Sequence, residues 1–163
     1  MQTFLPFPDF VSSAQALDPR RLGKQRVEAL QVLRALTVAG YGWRRHPAVR
    51  MWIGYEEAVF RYGLEMCRTW TAEGRADTVA ATLTADFTTY RPGTAPRGLD
   101  VLAAEGELPP WLGEPAFHRS HQSALVRKDP EFYRPRFPGV PDDLAYVWPP
   151  SDRDPEIHPE ILS

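Results

Sequence analysis

The 163-residue chain has one cysteine, Cys67. An internal disulfide is excluded, and a thiol set in a helical pattern between Leu64 and Trp70 is expected to be buried and inert. No apolar run is long enough to cross a bilayer. The opening MQTFLPFPDF lacks the basic n-region and small-residue cleavage site of a signal peptide. These absences lead us to expect a cytoplasmic protein with no membrane partner. Alternating strand patterns and internal repeats are also missing, which argues against a β-sandwich or a solenoid. Lysine is scarce, with two against seventeen arginines.

Charge is abundant but unevenly placed. The net charge is −2, which by itself argues mildly against a nucleic-acid binder. Between Arg20 and Arg50, however, there are eight basic residues and one acid, Glu28. Between Pro141 and Glu160 there are six acids and one base, Arg153. A basic front and an acidic tail therefore cancel in the total, and the front can still face phosphates.

The elements read as mainly helical. Residues 1–16, with Pro6 and Pro8, read as an extended lead-in. Asp18-Pro19 is a helix start, with Asp as N-cap and Pro in the first turn. That helix is expected to reach about Thr37, before Gly40 and Gly42. His46-Pro47 reads as a second start, opening one long amphipathic helix that ends near Gly74. A short helix is expected from Asp77 to about Thr84, and a further one over EPAFHRSHQSALVRK. Residues 85–115 are rich in Pro and Gly and read as a long irregular connection. The resulting expectation is all-α: a compact helical bundle over 1–137 and an acidic, Pro-rich tail over 138–163. The tail is packed on the bundle or trails from it, with Tyr146 and Trp148 as its anchors.

On a wheel of 100° per residue, the first long helix divides cleanly. Leu22, Ala29, Leu30, Val32, Leu33 and Leu36 fall on one side. Arg20, Arg21, Lys24, Glu28, Gln31 and Arg34 fall on the other, while Gln25 and Arg26 lie at the apolar edge. Lys24 and Glu28 could be an ordinary surface pair worth a few tenths of a kcal/mol. The alternative is an anion-binding face with one embedded carboxylate. Arginines neutralise phosphates, whereas a carboxylate repels them. A lone acid there is either a spacer between cations or a group that does chemistry.

A second cluster, HRSHQSALVRK, brings His118, Arg119, His121, Gln122, Arg127 and Lys128 onto one helix. His118 and His121 stand three apart, a spacing that can chelate a metal, but no third ligand lies at a persuasive distance. We expect no metal and no cofactor. Phosphate contact, hydrogen bonding and structural packing stay open for this cluster. Arg45 joins the candidate phosphate contacts, and Tyr41, Trp43 and Trp52 are candidates for base stacking.

These stretches resemble the pyrimidine-dimer DNA glycosylases, small helical phage enzymes that are both N-glycosylase and abasic-site lyase, and their bacterial relatives. The resemblance runs through LDPRRLGKQRVEA, HPAVRMWIGYEEAVFRYGLEMCRTWTAEG and HRSHQSALVRKDPEFYRPRF, and is nearest to the bacterial branch with MQTFLP, PRRLGKQR and SHQSALVRK. It implies an all-α bundle whose N-terminal segment passes between helices to the active site. It also implies a catalytic glutamate at Glu28, DNA-contacting arginines near Arg21 and Arg26, and a free N-terminal α-amine that attacks the sugar C1′. Duplex DNA with a damaged or modified base would be the partner of a monomeric enzyme.

Where the family exposes a small residue after loss of the initiator methionine, this chain has Gln2, before which methionine is normally retained. The available amine would then belong to Met1, one residue or about 3.8 Å further along. Two other readings stand beside the glycosylase/lyase. A non-catalytic nucleic-acid-binding module would keep the basic face and point its N-terminus away from Glu28. An enzyme on a small phosphorylated or nucleotide ligand would gather His118, His121, Gln122 and Glu28 in one pocket.

Overall fold

The computed structural model describes residues 1–163 and is all-α, with eight α-helices, a short 3-10 turn at Pro159–Leu162 and no strand. The helices are α1 (Phe10–Ala16), α2 (Pro19–Thr37), α3 (Pro47–Arg50), α4 (Glu56–Ala72), α5 (Val79–Tyr90), α6 (Leu99–Ala104), α7 (Pro115–Lys128) and α8 (Pro130–Tyr133).

The centre of the bundle is the α2–α4 pair, with α5 packed on both. α2 starts where the sequence indicates: the Asp18 carboxylate accepts from the Arg21 N–H at 3.3 Å, and Pro19 occupies the first turn. Its apolar face, including Leu22, Ala29, Val32 and Leu33, is fully buried. Gly63 of α4 lets the helices approach closely. A Cβ there would stand 3.0 Å from Ala29 Cβ and 2.9 Å from Leu83 Cδ1, so the three helices meet at a point only glycine fits.

Four expectations need correction. The lead-in is not wholly extended: Asp9 caps Val11 N–H at 3.1 Å and starts α1. The long helix from Pro47 is broken at residues 51–55. Gly54 there has φ +82°, and Arg153 packs so close that a Cβ would lie 2.6 Å away. The helix expected to end near Thr84 continues to Tyr90, because Phe87 stacks on Phe60 at 4.5 Å and Arg34 ties Asp86 to α2. The connection at 85–115 is therefore shorter than expected and also contains α6.

Residues 2–6 are buried in the bundle, with Thr3 and Leu5 fully inaccessible. Burial of side chains such as Phe4 and Leu5 contributes about 2–3 kcal/mol each. α7 has no extended interface with α2 or α4, because the N-terminal segment lies between them and is bonded to all three. The resemblance implied just such a threaded segment.

The C-terminal tail wraps the surface without regular structure from 138 to 158. Tyr146 and Trp148 are half-buried, but polar groups hold the tail as well. Ser123 Oγ accepts from Leu144 N–H (3.0 Å) and Ser120 Oγ from Val147 N–H (3.2 Å). Further along, Asp154 is buried against Arg50, whose Nη2 donates to it at 2.6 Å. No helix is long and apolar enough to cross a membrane.

Candidate active site

The first turns of α2 leave Arg20, Arg21, Lys24 and Glu28 on one open cleft of about 390 Å³. Its other walls come from distant parts of the chain: Met1, Gln2 and Phe4 from the N-terminal segment, His46 before α3, Lys128 at the end of α7, and Tyr146 and Trp148 from the tail. Both lysines of the chain, Lys24 and Lys128, line it.

One amide couples the cleft's carboxylate to the threaded segment. Gln25 is 1% exposed. Its Oε1 accepts from Phe4 N–H at 2.7 Å, and its Nε2 donates to Glu28 Oε2 at 2.7 Å. The Tyr62 hydroxyl is shared between Gln25 Oε1 (2.6 Å) and the Phe4 carbonyl (2.8 Å). Burial, reinforced by the nearby Glu28 charge, pushes the Tyr62 phenol well above its ordinary value, so it stays a neutral donor. Trp52 Nε1 donates to Thr3 Oγ1 at 3.1 Å. The position of Glu28 and the path of residues 3–5 are thus fixed by the same buried side chains.

Met1 and His46 both line the cleft. That imidazole is held below its usual range by burial and, secondarily, by the positive charge of the N-terminus. Its Nδ1 accepts from Ala48 N–H at 3.1 Å, which also caps α3. Lys24 Nζ lies 4.0 Å from Glu28 Oε1, a loose pair with the lysine in solvent. Arg21 is restrained by Asp18, Nη1 to Oδ1 at 3.0 Å. Burial opposes the Asp18 charge, but the Tyr133 hydroxyl and Arg21 outweigh it and hold the carboxyl below the usual range.

The other sequence-nominated residues lie elsewhere. Arg26 bonds the buried Asp77 and stacks over Trp70 at 4.3 Å, tying α2 to the α4–α5 corner. Arg45 is exposed on the loop before α3 and lines a neighbouring groove. Arg127 donates to the tail carbonyls of Asp142 (2.8 Å) and Leu144 (3.3 Å), and Arg119 reaches Gly139 O at 3.4 Å.

His118, His121 and Gln122 face the N-terminal segment and do not line the cleft. His118 Nδ1–H donates to Leu5 O (2.8 Å), while its Nε2 accepts from Gly113 N–H (2.8 Å). His121 Nδ1 accepts from Leu5 N–H (2.9 Å), and Gln122 Nε2 donates to Pro6 O (2.8 Å). Both nitrogens of His118 are occupied, so the pair cannot chelate, and no group of three ligating side chains lies close enough to hold a metal ion. Burial drives His121 down to about 3, with His118 adding to the shift, and burial also lowers His118. Cys67 is buried, and its thiol is pushed up to about 12 by burial and the nearby Asp77, an inert thiol.

Sequence reasoning missed His46, Lys128's place opposite α2, and the tail's share of the cleft. His46 carried only a helix-start signal, and the tail residues only an anchoring one.

Comparison with known proteins returns no matching curated protein and no matching solved structure. The family model described as pyrimidine dimer DNA glycosylase does match, over residues 1–82. That span is half of the chain and carries Met1, Gln25, Glu28 and every cleft residue except Lys128, Tyr146 and Trp148. By this match, the chain belongs to the pyrimidine dimer DNA glycosylase family.

Proposed function

We propose that the protein is a DNA N-glycosylase and abasic-site lyase acting on damaged pyrimidines in duplex DNA, with the Met1 α-amine as nucleophile and Glu28 as the essential carboxylate. The observation that carries this reading is the meeting of Met1 and Glu28 in one cleft among Arg20, Arg21, Lys24 and Lys128.

The chemistry divides as follows. The unprotonated amine attacks C1′, and the bond from C1′ to the base nitrogen breaks; the base leaves with the bonding pair and takes up a proton. The new amine loses a proton, and its lone pair forms the C=N bond as the C1′–O4′ bond opens. O4′ leaves with the bonding pair and takes up a proton as the 4′-hydroxyl, giving a protonated imine. Loss of a C2′ proton and departure of the 3′ phosphate complete β-elimination, and water then releases the amine. Glu28 stabilises the positive charge that develops on the sugar and carries protons to and from it. The four basic residues hold the phosphodiester backbone against the cleft.

Two observations favour this reading over its competitors. A purely binding module called for an N-terminus away from Glu28, yet Met1 shares the cleft. A small-ligand enzyme called for His118, His121, Gln122 and Glu28 together, yet the first three are occupied by the backbone of residues 5–6.

The test is borohydride trapping on a duplex containing one abasic site. The wild type should give a covalent adduct, and the N-terminally acetylated protein none. Salt-dependent DNA binding with no wild-type adduct would overturn the lyase and leave a binding protein on this fold.

A further inference from the structure

The loop between α2 and α3 ends in GWRRH, and Trp43 within it stands apart in three ways. It is the only exposed tryptophan of the five, at 57%. It is also the only non-glycine residue with left-handed backbone, φ +72°, an uncommon and unfavourable conformation for a bulky side chain. Finally, it terminates a file of aromatic rings. Its ring meets His46 edge-on at 5.7 Å, His46 meets Trp148 at 6.0 Å, and Trp148 meets Tyr146 at 5.2 Å. His46, Trp148 and Tyr146 all line the cleft, so the file runs from the cleft wall out to its rim.

Charge around the ring favours nucleic acid over an apolar partner. Arg44 and Arg45 follow directly and are exposed, and the loop from Val38 to His46 contains no acid. A base turned out of a duplex leaves an unstacked gap, and an apolar or aromatic side chain that enters it offsets part of the lost stacking. Such a side chain must be exposed, lie beside the cleft where the sugar is attacked and be flanked by phosphate-binding cations. Trp43 meets all three conditions.

We propose that Trp43 inserts into the base stack at the damaged step and occupies the space left by a base turned out of the duplex. This rests on the glycosylase reading above. Arg44 and Arg45 hold the flanking phosphates, and the file of His46 and Trp148 backs the ring against displacement.

The test uses a duplex carrying a thymine dimer with 2-aminopurine beside it. Wild-type binding should raise the fluorescence of the unstacked probe. Trp43→Ala should lose most of that rise and about tenfold or more of the preference for damaged over undamaged duplex. Trp43→Phe should retain both. Trp43→Asn should have a Tm equal to or above wild type, because asparagine tolerates left-handed backbone better. If Trp43→Ala keeps the rise and the preference, or Trp43→Asn markedly lowers the Tm, the ring is a packing element and the proposal is wrong. Borohydride trapping on abasic duplex, run alongside, separates the failures. A wild type that traps but gives no Trp43-dependent signal sinks only this inference. One that neither traps nor raises fluorescence sinks both, and a Trp43-dependent rise without trapping supports insertion by a non-catalytic binder.

Discussion

The basic stripe of α2 and the His/Arg run of α7 look alike as candidate DNA contacts, and the structure uses them in opposite ways. α2 turns Arg20, Lys24 and Glu28 toward an open cleft, where Arg20 and Lys24 are exposed. α7 turns His118, His121 and Gln122 inward, where the backbone of residues 5–6 occupies them. The difference lies in who the partner is. A polar side chain with a free valence on an open face is available to a ligand. One that is buried and bonded to backbone, as His121 Nδ1 is to Leu5 N–H, is holding the structure that presents the ligand site. α7 still serves the proposed chemistry, because the segment it clamps is the one that delivers Met1.

If this division holds, mutations on the two helices should separate activity from stability. The largest effect belongs to Glu28→Gln. Loss of abasic-site cleavage by about a hundredfold or more is expected, with little change in Tm, measured by gel assay and calorimetry. His121→Ala should do the reverse in order of cause. It strands the buried Leu5 N–H and opens a cavity, so a loss of about 2–4 kcal/mol in denaturant unfolding is expected, with activity falling because the segment is no longer held.

Acid should act on α7 as well. His118 and His121 have folded pKa values below the ordinary imidazole range, His121 at about 3. The unfolded chain then binds more protons as pH drops below about 6.5. Stability is therefore complete above that pH and declines progressively as pH falls toward 3. His121→Gln should flatten this slope in a Tm-versus-pH series, whereas changes on the α2 face should leave it in place. The smallest effects are at the cleft rim. Arg20→Ala and Lys128→Ala should each cost about 0.5 kcal/mol or less in stability, and each should reduce the salt dependence of DNA binding by about one counterion.

The sequence made one side of this comparison readable and hid the other. Asp18-Pro19 and the 3.6-residue period gave the start, length and exposed stripe of α2, because these are local properties. The break between α3 and α4 was not readable, since the apolar period continues through Met51, Trp52 and Ile53 across it. The chain turns there at Gly54, in left-handed backbone, with Arg153 from about a hundred residues away packed on it. α1 was hidden by the prolines before it. The inward turn of His118 and His121 was equally out of reach, because it depends on an extended segment lying beneath α7. Gln25 at the apolar edge of α2 did signal a polar contact at the core boundary. Its partners, Phe4 N–H and Glu28, became visible only with the fold.

Three amines share the proposed cleft: the Met1 α-amine and the side chains of Lys24 and Lys128. Trapping alone does not tell them apart, so the decisive measurement is the position of the adduct. The borohydride-reduced complex with abasic DNA would be digested with nuclease and trypsin, and the modified peptide sequenced by mass spectrometry. We predict the sugar remnant on the α-nitrogen of Met1, in the peptide that ends at Arg20. A remnant on Lys24 or Lys128, with Met1 unmodified, would contradict the role assigned to the threaded N-terminus.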